Sequence, residues 1–424
     1  MASSSRAVTL FDGAFTGKYM LNAGAPGPHI LKKVAKMMKD ATAISMEEQT
    51  FNMNGALLQY GTPDGPPEFL DALSSFLSAE YREPVNRDNL VLSSGATSGF
   101  IYLLSQIFPH KTIIWAEQLS YFLAISMLKT LEFPIQDIKI ENDGIDLEDL
   151  EAKWSSTYSK EACKAAKENG KYLGALYLVP HYHNPTGTEL SPEKCQKIIQ
   201  IARKFSILVF CDDVYNILHY NDQVNRRLFA YDNPKDADYG NGHVISNGTF
   251  SKLLSPGLRI GWIEMPLGLK KRYWSESWIM RSGGSVNTYT AGIITELLKD
   301  GSVSNLVKEI RVENKAKMEA LLMILTDELP KECQILHKPT GGYFVYIKLS
   351  DNLVSTNVIA TLRNQHELLV LDGQSFWSGD PNDSNRKILA NGIRLSVAYP
   401  LLDEIIEGAH IFCSTIKDLL HSKQ

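Results

Sequence analysis

The chain has 424 residues, 44% hydrophobic and 21% charged. That is ordinary globular composition at a length suited to two domains or one large one, and it excludes a disordered or collagen-like chain. Lys plus Arg number 43 against 48 Asp plus Glu, a net charge of −5, so no overall field draws the chain to nucleic acid or an anionic membrane.

The first ten residues read as a frayed tail. Phe11 to Met53 follows, with a Gly- and Pro-rich stretch at Gly24-Ala25-Pro26-Gly27-Pro28 and an amphipathic run from Ile30 to Met38. Gly55 to Gly65 is further loop punctuation. Then strands and helices alternate. Asn89 to Leu92 reads as a strand, Gly95 as a turn, Thr97 to Phe108 as a helix and Thr112 to Trp115 as a short strand. Leu173 to Val179 is a buried strand by its continuous apolar run. Ser191-Pro192 opens a helix, because Ser caps it and Pro in the first turn lacks an N–H that would be orphaned there. Ser206 to Cys211, Val244 to Ser246 and Ile260 to Met265 are three more strands. Strands spaced by helices imply an α/β fold, three layers with a mostly parallel sheet covered on both faces.

The pattern changes near Gly301. A long amphipathic helix from Asn305 to about Leu325 precedes short strands at Gly341 to Ile347 and Gly392 to Val397. This predicts a large domain over 56–300 and a smaller α+β domain over 301–424. Residues 1–55 cannot form a core alone and are expected to pack on the small domain.

Several functions lack their motifs. There is no Gly-x-x-x-x-Gly-Lys-Ser/Thr, Gly-x-Gly-x-x-Gly, His-Glu-x-x-His or Gly-x-Ser-x-Gly. The five cysteines, at 163, 195, 211, 333 and 413, are odd in number and contain no Cys-x-x-Cys pair. That argues against a disulfide framework and structural zinc, and for reduced thiols in a cytoplasmic setting. The opening residues carry no apolar h-region, and no stretch approaches the roughly 20 apolar residues of a membrane span.

Four segments stand out, each at the end of an expected strand, where open α/β sheets bind ligands. They are Ser94-Gly95-Ala96-Thr97, Asn184-Pro-Thr-Gly187, Asp212-Asp-Val-Tyr215 and the loop from Thr249 to Arg259. In the last, Lys252 is flanked by the hydroxyls of Thr249 and Ser251, with Arg259 seven residues on. A lysine that forms an imine must lose its proton, and burial with nearby positive charge favours that loss. The same hydroxyls and guanidinium suit a phosphate. At Gly95 a strand turns into a helix, leaving free N–H groups of Ala96 and Thr97 for an anion. Asp212 ends an apolar strand, where an unpaired charge is costly. A protonated pyridine nitrogen would pair with it; capping of the next turn is the plainer alternative. Tyr215 and Asn184 are placed to reach a ring hydroxyl, although Asn-Pro also suits a simple turn. Tyr121 is set to stack on a ring or merely to pack in the core, and Tyr60 sits in a Gly-rich loop. Arg394 is the one arginine in an apolar strand, suited to a carboxylate clamp or to an internal salt bridge. Together these segments match the needs of a pyridoxal phosphate site. No metal ligand set is evident.

The order Asn-Pro-Thr-Gly, Asp-x-x-Tyr, Ser-Lys and Pro-Gly-Leu-Arg resembles the fold-type I, pyridoxal phosphate-dependent aminotransferases of class I/II, across residues 20 to 410. The flavour is that of the aminoadipate/aromatic branch. The resemblance implies that Lys252 carries the cofactor and that Asp212 partners its ring nitrogen. Asn184 and Tyr215 would contact the ring hydroxyl and Tyr121 would stack. Gly95, Ala96, Thr97, Thr249, Ser251 and Arg259 would hold the phosphate, and Arg394 the substrate α-carboxylate. Gly24 would lie in a loop over the substrate, and Tyr60 would reach the phosphate of a neighbouring subunit, implying a homodimer. The implied substrates are an amino acid and a 2-oxo acid. His181-Tyr-His183 departs from the branch, which usually has an aromatic and Gln there, and Gln118-Leu119 replaces a common Pro-containing turn. A titratable His183 beside the site is expected to influence substrate choice or pH dependence. Acidic specificity would want a second arginine, for which Arg281 is a candidate. Two other readings use the same scaffold: a C–S lyase or decarboxylase, and a non-catalytic sensor like the aminotransferase-like half of some bacterial transcription regulators.

Overall fold

The computed structural model describes residues 16–222, 224–283 and 286–422; the expected tail at residues 1–10 lies outside them. Seven strands form the main sheet: β1 (Leu90–Ser93), β2 (Ile114–Glu117), β3 (Ile135–Ile138), β4 (Gly174–Leu178), β5 (Ile207–Asp212), β6 (Val244–Thr249) and β7 (Gly261–Glu264). Their spatial order is β1-β7-β6-β5-β4-β2-β3. Only β7 runs against its neighbours β1 and β6; the other pairs are parallel.

The sheet is buried on both faces, and the period of two explains why its strands read as unbroken apolar runs. In β5, Leu208 and Phe210 join one core, while Ile207, Val209 and Cys211 join the other. The first core takes residues from α1 (Pro28–Phe51), α2 (Pro67–Tyr81), α3 (Ala96–Ile107), α4 (Phe122–Thr130) and α6 (Thr288–Lys299). The second takes residues from α5 (Pro192–Phe205), whose N-cap Ser191 accepts from the N–H of Lys194. Edge strand β3 has no clear reading in the sequence: Ile-Gln-Asp-Ile is too short and too polar for a confident period.

A four-stranded antiparallel sheet follows, ordered Gln334–Ile335, β8 (Phe344–Lys348), β9 (Gly392–Ser396) and Leu371–Asp372. It packs with α8 (Leu402–His421) in a separate core. Helix α7 (Ser302–Glu328) joins the two bodies. Its Val303, Leu306 and Ile310 sit in the core of the large sheet, and its Met318, Leu321 and Leu325 in that of the small one.

The N-terminal segment divides between the two. Tyr19–Met20 pairs in parallel with Leu368–Leu369, and Leu21 O accepts from Ser396 N at 2.7 Å, so residues 19–24 belong with the small sheet. Helix α1 packs instead on α6, and its Ile30, Val34 and Ala41 enter the core of the large sheet. It runs well past Met38 because Ala41, Ser45 and Gln49 continue the buried stripe with small and polar residues, which a hydrophobicity pattern underrates.

Candidate active site

The carboxyl ends of β4, β5 and β6 open onto a cavity of about 630 Å³. Lys252 lies just past β6, and its Nζ donates to Gly24 O at 2.7 Å. Burial lowers its pKa to about 8; Arg394 and Arg259 push the same way and Asp212 opposes them. The amine is thus far readier to lose its proton than an exposed lysine. The carbonyl of Lys252 accepts from Tyr343 Oη at 2.9 Å, which pins the turn.

Asp212 closes β5. Its Oδ2 accepts from Tyr177 Oη at 2.6 Å, and its Oδ1 is buried without a hydrogen-bond partner. Burial raises its pKa to about 6, Tyr177 opposes this and Asp213 adds to it. An orphaned buried carboxylate oxygen facing a cavity is what a missing cationic donor would satisfy.

The phosphate-type end lies at Ser94 to Thr97. Gly95, at φ 87°, caps α3 with no side chain on the helix end. The positive φ favours glycine here, and a Cβ would also come within 2.6 Å of Arg259 Nη2 and push the guanidinium aside. Arg259 is exposed and held by Pro256 O at 2.9 Å and Ser94 O at 3.4 Å. Thr249 Oγ1 donates to Ser251 Oγ at 2.9 Å, placing both hydroxyls beside Lys252. Ala96, Thr97, Thr249, Ser251 and Arg259 all line the cavity.

Behind Asn184 of the cavity wall, Arg394, 3% exposed, projects from β9. It donates to Asn184 Oδ1 at 3.0 Å and Asn22 O at 2.5 Å, and its Nε has no partner. Its guanidinium lies 4.2 Å from the Phe344 ring centroid and 5.3 Å from that of Phe376. Burial lowers its pKa to about 10. The internal salt bridge weighed for it is not found: no carboxylate among the described residues pairs with it. A buried guanidinium with an unused N–H is a receptor for an anion from outside.

Tyr121, Tyr215 and Asn184 line the same cavity. Gly24 covers it from the N-terminal segment, where a Cβ would stand 2.9 Å from the Phe344 ring. Two residues lie elsewhere. Tyr60 is 82% exposed on an outer face, in a separate hollow with Gln49, Gly61 and Thr288. Arg281 is also exposed, over Trp278 with its Nε on Ser275 O, outside the cavity. His183 turns away from the cavity: its Nδ1 meets Thr186 Oγ1 at 2.7 Å and its Nε2 stands 3.1 Å from Glu117. Sequence reasoning missed Tyr177, which is hidden in an apolar strand, and the Phe344 and Phe376 rings that box Arg394. The one local hint for Tyr177 was a hydroxyl inside Ala-Leu-Tyr-Leu, which needs a buried partner.

The model of the aminotransferase class I and II family matches residues 16–399. The chain belongs to that family. It is a transaminase of fold type I, and its cofactor is pyridoxal phosphate. The aromatic-amino-acid aminotransferase 1 of Thermococcus litoralis is 25% identical over 85% of this chain and 80% of its own length. Among solved structures, the multiple substrate aminotransferase of Thermococcus profundus aligns with a TM-score of 0.78 at 23% identity, covering 100% of this chain and 96% of that one. The α-aminoadipate aminotransferase of Thermus thermophilus, solved with N-(5'-phosphopyridoxyl)-L-leucine, aligns at 0.75 and 21% identity over 95% and 92%. The residues present fit the cofactor: a lowered amine, an orphaned carboxylate oxygen and an uncapped helix end with an arginine. Among the described residues there is no group of three metal-ligating side chains, and no helix is long and apolar enough to cross a membrane.

Proposed function

We propose that this transaminase takes amino groups from neutral L-amino acids, aromatic ones foremost, and delivers them to 2-oxo acids. The observation that carries this is the surroundings of Arg394. The Arg394 guanidinium, bonded to Asn184 of the cavity wall, keeps an unused N–H for an α-carboxylate, aromatic rings flank it, and among the described residues the cations lining the cavity are Lys252 and Arg259. Among the described residues lining the cavity, no further cation is set to meet a second carboxylate on the substrate. The aromatic specificity in the name of the Thermococcus litoralis relative agrees.

Pyridoxal phosphate, when bound, supplies an aldehyde that takes up the amino group and a ring that accepts the electron pair left as Cα loses its proton. Lys252 would hold the cofactor, and its freed Nζ would take the Cα proton and return it to the cofactor carbon on the far side of the amino nitrogen. An amine lowered to about 8 is suited to both directions near neutral pH. Asp212 would hold a proton on the ring nitrogen. Asn184 and Tyr215 would meet the ring hydroxyl, and Tyr121 would pack against the ring. The N–H groups of Ala96 and Thr97, the hydroxyls of Thr249 and Ser251, and Arg259 would hold the phosphate. Arg394 grips the substrate carboxylate as Asn22 O gives way. Gly24 O, now on Lys252 Nζ, must likewise release it, so residues 22–24 act as a cover that shifts on loading. After one amino acid has left as a 2-oxo acid, a second 2-oxo acid takes the amino group by the reverse steps.

The working unit is a homodimer. Phe51, Leu58, Tyr60 and Trp278 are 76%, 70%, 82% and 80% exposed, apolar side chains that a partner surface would cover. In a dimer Tyr60 would reach the partner's phosphate. The two cores favour a division of the large and small domains inside α7, between Ile310 and Met318, somewhat beyond the boundary expected near residue 300. Five free, buried cysteines favour a reducing compartment such as the cytoplasm.

The test is the visible spectrum of the protein loaded with pyridoxal phosphate and challenged with single amino acids. Bleaching by phenylalanine, tyrosine or leucine, with recovery on adding a 2-oxo acid, is expected. Bleaching by aspartate and glutamate alone would overturn the donor class. Absence of any visible band would overturn the role of Lys252.

A further inference from the structure

We propose that Tyr177 is a positioning residue for Asp212: its hydroxyl fixes the carboxylate so that the free oxygen meets the cofactor's ring nitrogen, and it favours the anionic form. The inference rests on the role given above to Asp212.

The geometry comes from the sheet. Tyr177 on β4 pairs in register with Phe210 on β5. Asp212 is two residues beyond Phe210, so Tyr177, Phe210 and Asp212 share one face. Asp213 points to the other, where its Oδ2 accepts from Ser246 Oγ. The Tyr177 hydroxyl therefore serves Asp212 alone, at 2.6 Å, while Oδ1 stays without a partner. One bonded oxygen and one free oxygen define the rotation of the carboxylate. With neither held, the group could turn both oxygens from the ring. The tyrosine itself is fixed: its ring packs on Phe100 at 5.1 Å, and Phe100 packs on Phe210 at 4.8 Å.

A phenylalanine would fill this place in the core as well. A buried hydroxyl is costly unless it is bonded, so its presence among Ala175, Leu176 and Leu178 marks a use for the bond. That use is electrostatic. Burial and the like charge of Asp213 both press Asp212 toward its neutral form, which cannot hold a proton on the ring nitrogen. Tyr177 opposes them, helped by Lys252 from the loop after β6. Tyr121 and Tyr215 also face Asp212 here, with Arg394 close to both tyrosines. The Tyr177 hydroxyl keeps its own proton, since burial and Asp212 push its pKa well above the usual phenol range.

The holoenzyme provides the test. Positive charge on the ring nitrogen lowers the proton affinity of the nitrogen joined to Lys252, and this sets the pH midpoint of the cofactor's colour change. In Tyr177→Phe the midpoint should rise by about one pH unit and the cofactor dissociation constant by roughly tenfold, as for loss of one hydrogen bond to a charged group. kcat should fall more than KM moves. In an Asp212→Asn background the same substitution should leave the midpoint where it is. 3-Fluorotyrosine at 177, a stronger donor of nearly the same volume, should move the midpoint down, which keeps the test open if Tyr177→Phe folds poorly. An unmoved midpoint in both variants would overturn the proposal, as would an equal shift with and without Asp212. No visible band even in the wild type would overturn the reading of the site with it, which distinguishes the two failures.

Discussion

Arg259 in the cavity wall and Arg394 behind Asn184 are the two proposed anion receptors, and they are built in opposite ways. At one end Arg259 is exposed and tied to backbone carbonyls, and the uncapped end of α3 shares the load. At the other, Arg394 is buried, boxed by aromatic rings, and held by one amide and one backbone carbonyl. The first suits an anion that stays, because many weak donors spread the attraction and little must move. The second suits an anion that comes and goes: a desolvated guanidinium gains much from a carboxylate, and the Asn22 carbonyl stands in until one arrives. Resident cofactor and transient substrate thus call for different physics in one cavity.

Lys252 lies between the two receptors, and its removal gives the largest expected effect. Lys252→Ala should lower transamination by at least about 10⁴-fold, since cofactor attachment and the proton carrier are lost together. Turnover above that level, measured by transfer between a labelled amino acid and a 2-oxo acid, would break the scheme. The same residue predicts a pH profile. With the amine lowered to about 8, its neutral fraction rises through pH 8, so uptake of pyridoxal phosphate by the cofactor-free protein should speed up to about pH 8 and then level off. A rise that continues toward pH 10.5 would place the amine in water.

Arg394 comes next. Arg394→Gln should reduce kcat/KM for phenylalanine by about 10² to 10³-fold, the usual effect of truncating a buried charged pair. Cofactor affinity should stay unchanged, and Arg394→Lys should not restore the rate, because a point charge cannot grip both carboxylate oxygens. At the other end, Gly95→Ala should weaken cofactor binding by about 10 to 100-fold, as expected for a residue strained at positive φ and driven against Arg259. kcat at saturating cofactor should barely move. A matched loss in both parameters from either variant would mean that the two receptors are not separate.

The two ends also differed in how plainly the sequence displayed them. The end with Gly95, Thr249, Ser251 and Arg259 is written in short segments, where a glycine, paired hydroxyls and an arginine lie within a few residues of one another. Asp212 was legible for the same reason, as a charge closing an apolar strand. The Arg394 end is assembled from Asn22, Asn184, Phe344 and Phe376, spread over most of the chain. Only the arginine was conspicuous; its aromatic box looks like any core. Tyr177 was concealed in the same way, because a tyrosine in a buried strand shows its purpose only when the neighbouring strand supplies Asp212. His183 erred in the other direction. Next to Asn184 in sequence it suggested a titratable wall of the site, but its ring points into a pocket with Glu117 and Thr186. Large-sheet strands were legible within a few residues, except β3, whose edge position needs no strong pattern. Helix α1 outruns the amphipathic stretch from Ile30 to Met38 because its second half buries small and polar side chains.

The smallest expected effect tests whether the cofactor end is complete within one chain. Tyr60 cannot serve the cavity of its own chain from an outer face. In the proposed homodimer it would donate one hydrogen bond to the partner's phosphate, worth about 0.5–1.5 kcal/mol net. Tyr60→Phe should therefore raise the cofactor dissociation constant about three- to tenfold and leave the response to phenylalanine at saturating cofactor intact. Mixed dimers sharpen the point. Pairing a Tyr60→Phe chain with a Lys252→Ala chain leaves one working lysine, and the phosphate beside it keeps its tyrosine only if Tyr60 crosses between subunits. Wild-type cofactor affinity at that lysine would support the crossing. Affinity reduced as in the Tyr60→Phe homodimer would place Tyr60 in its own chain's site and make the exposed apolar face a matter of assembly alone.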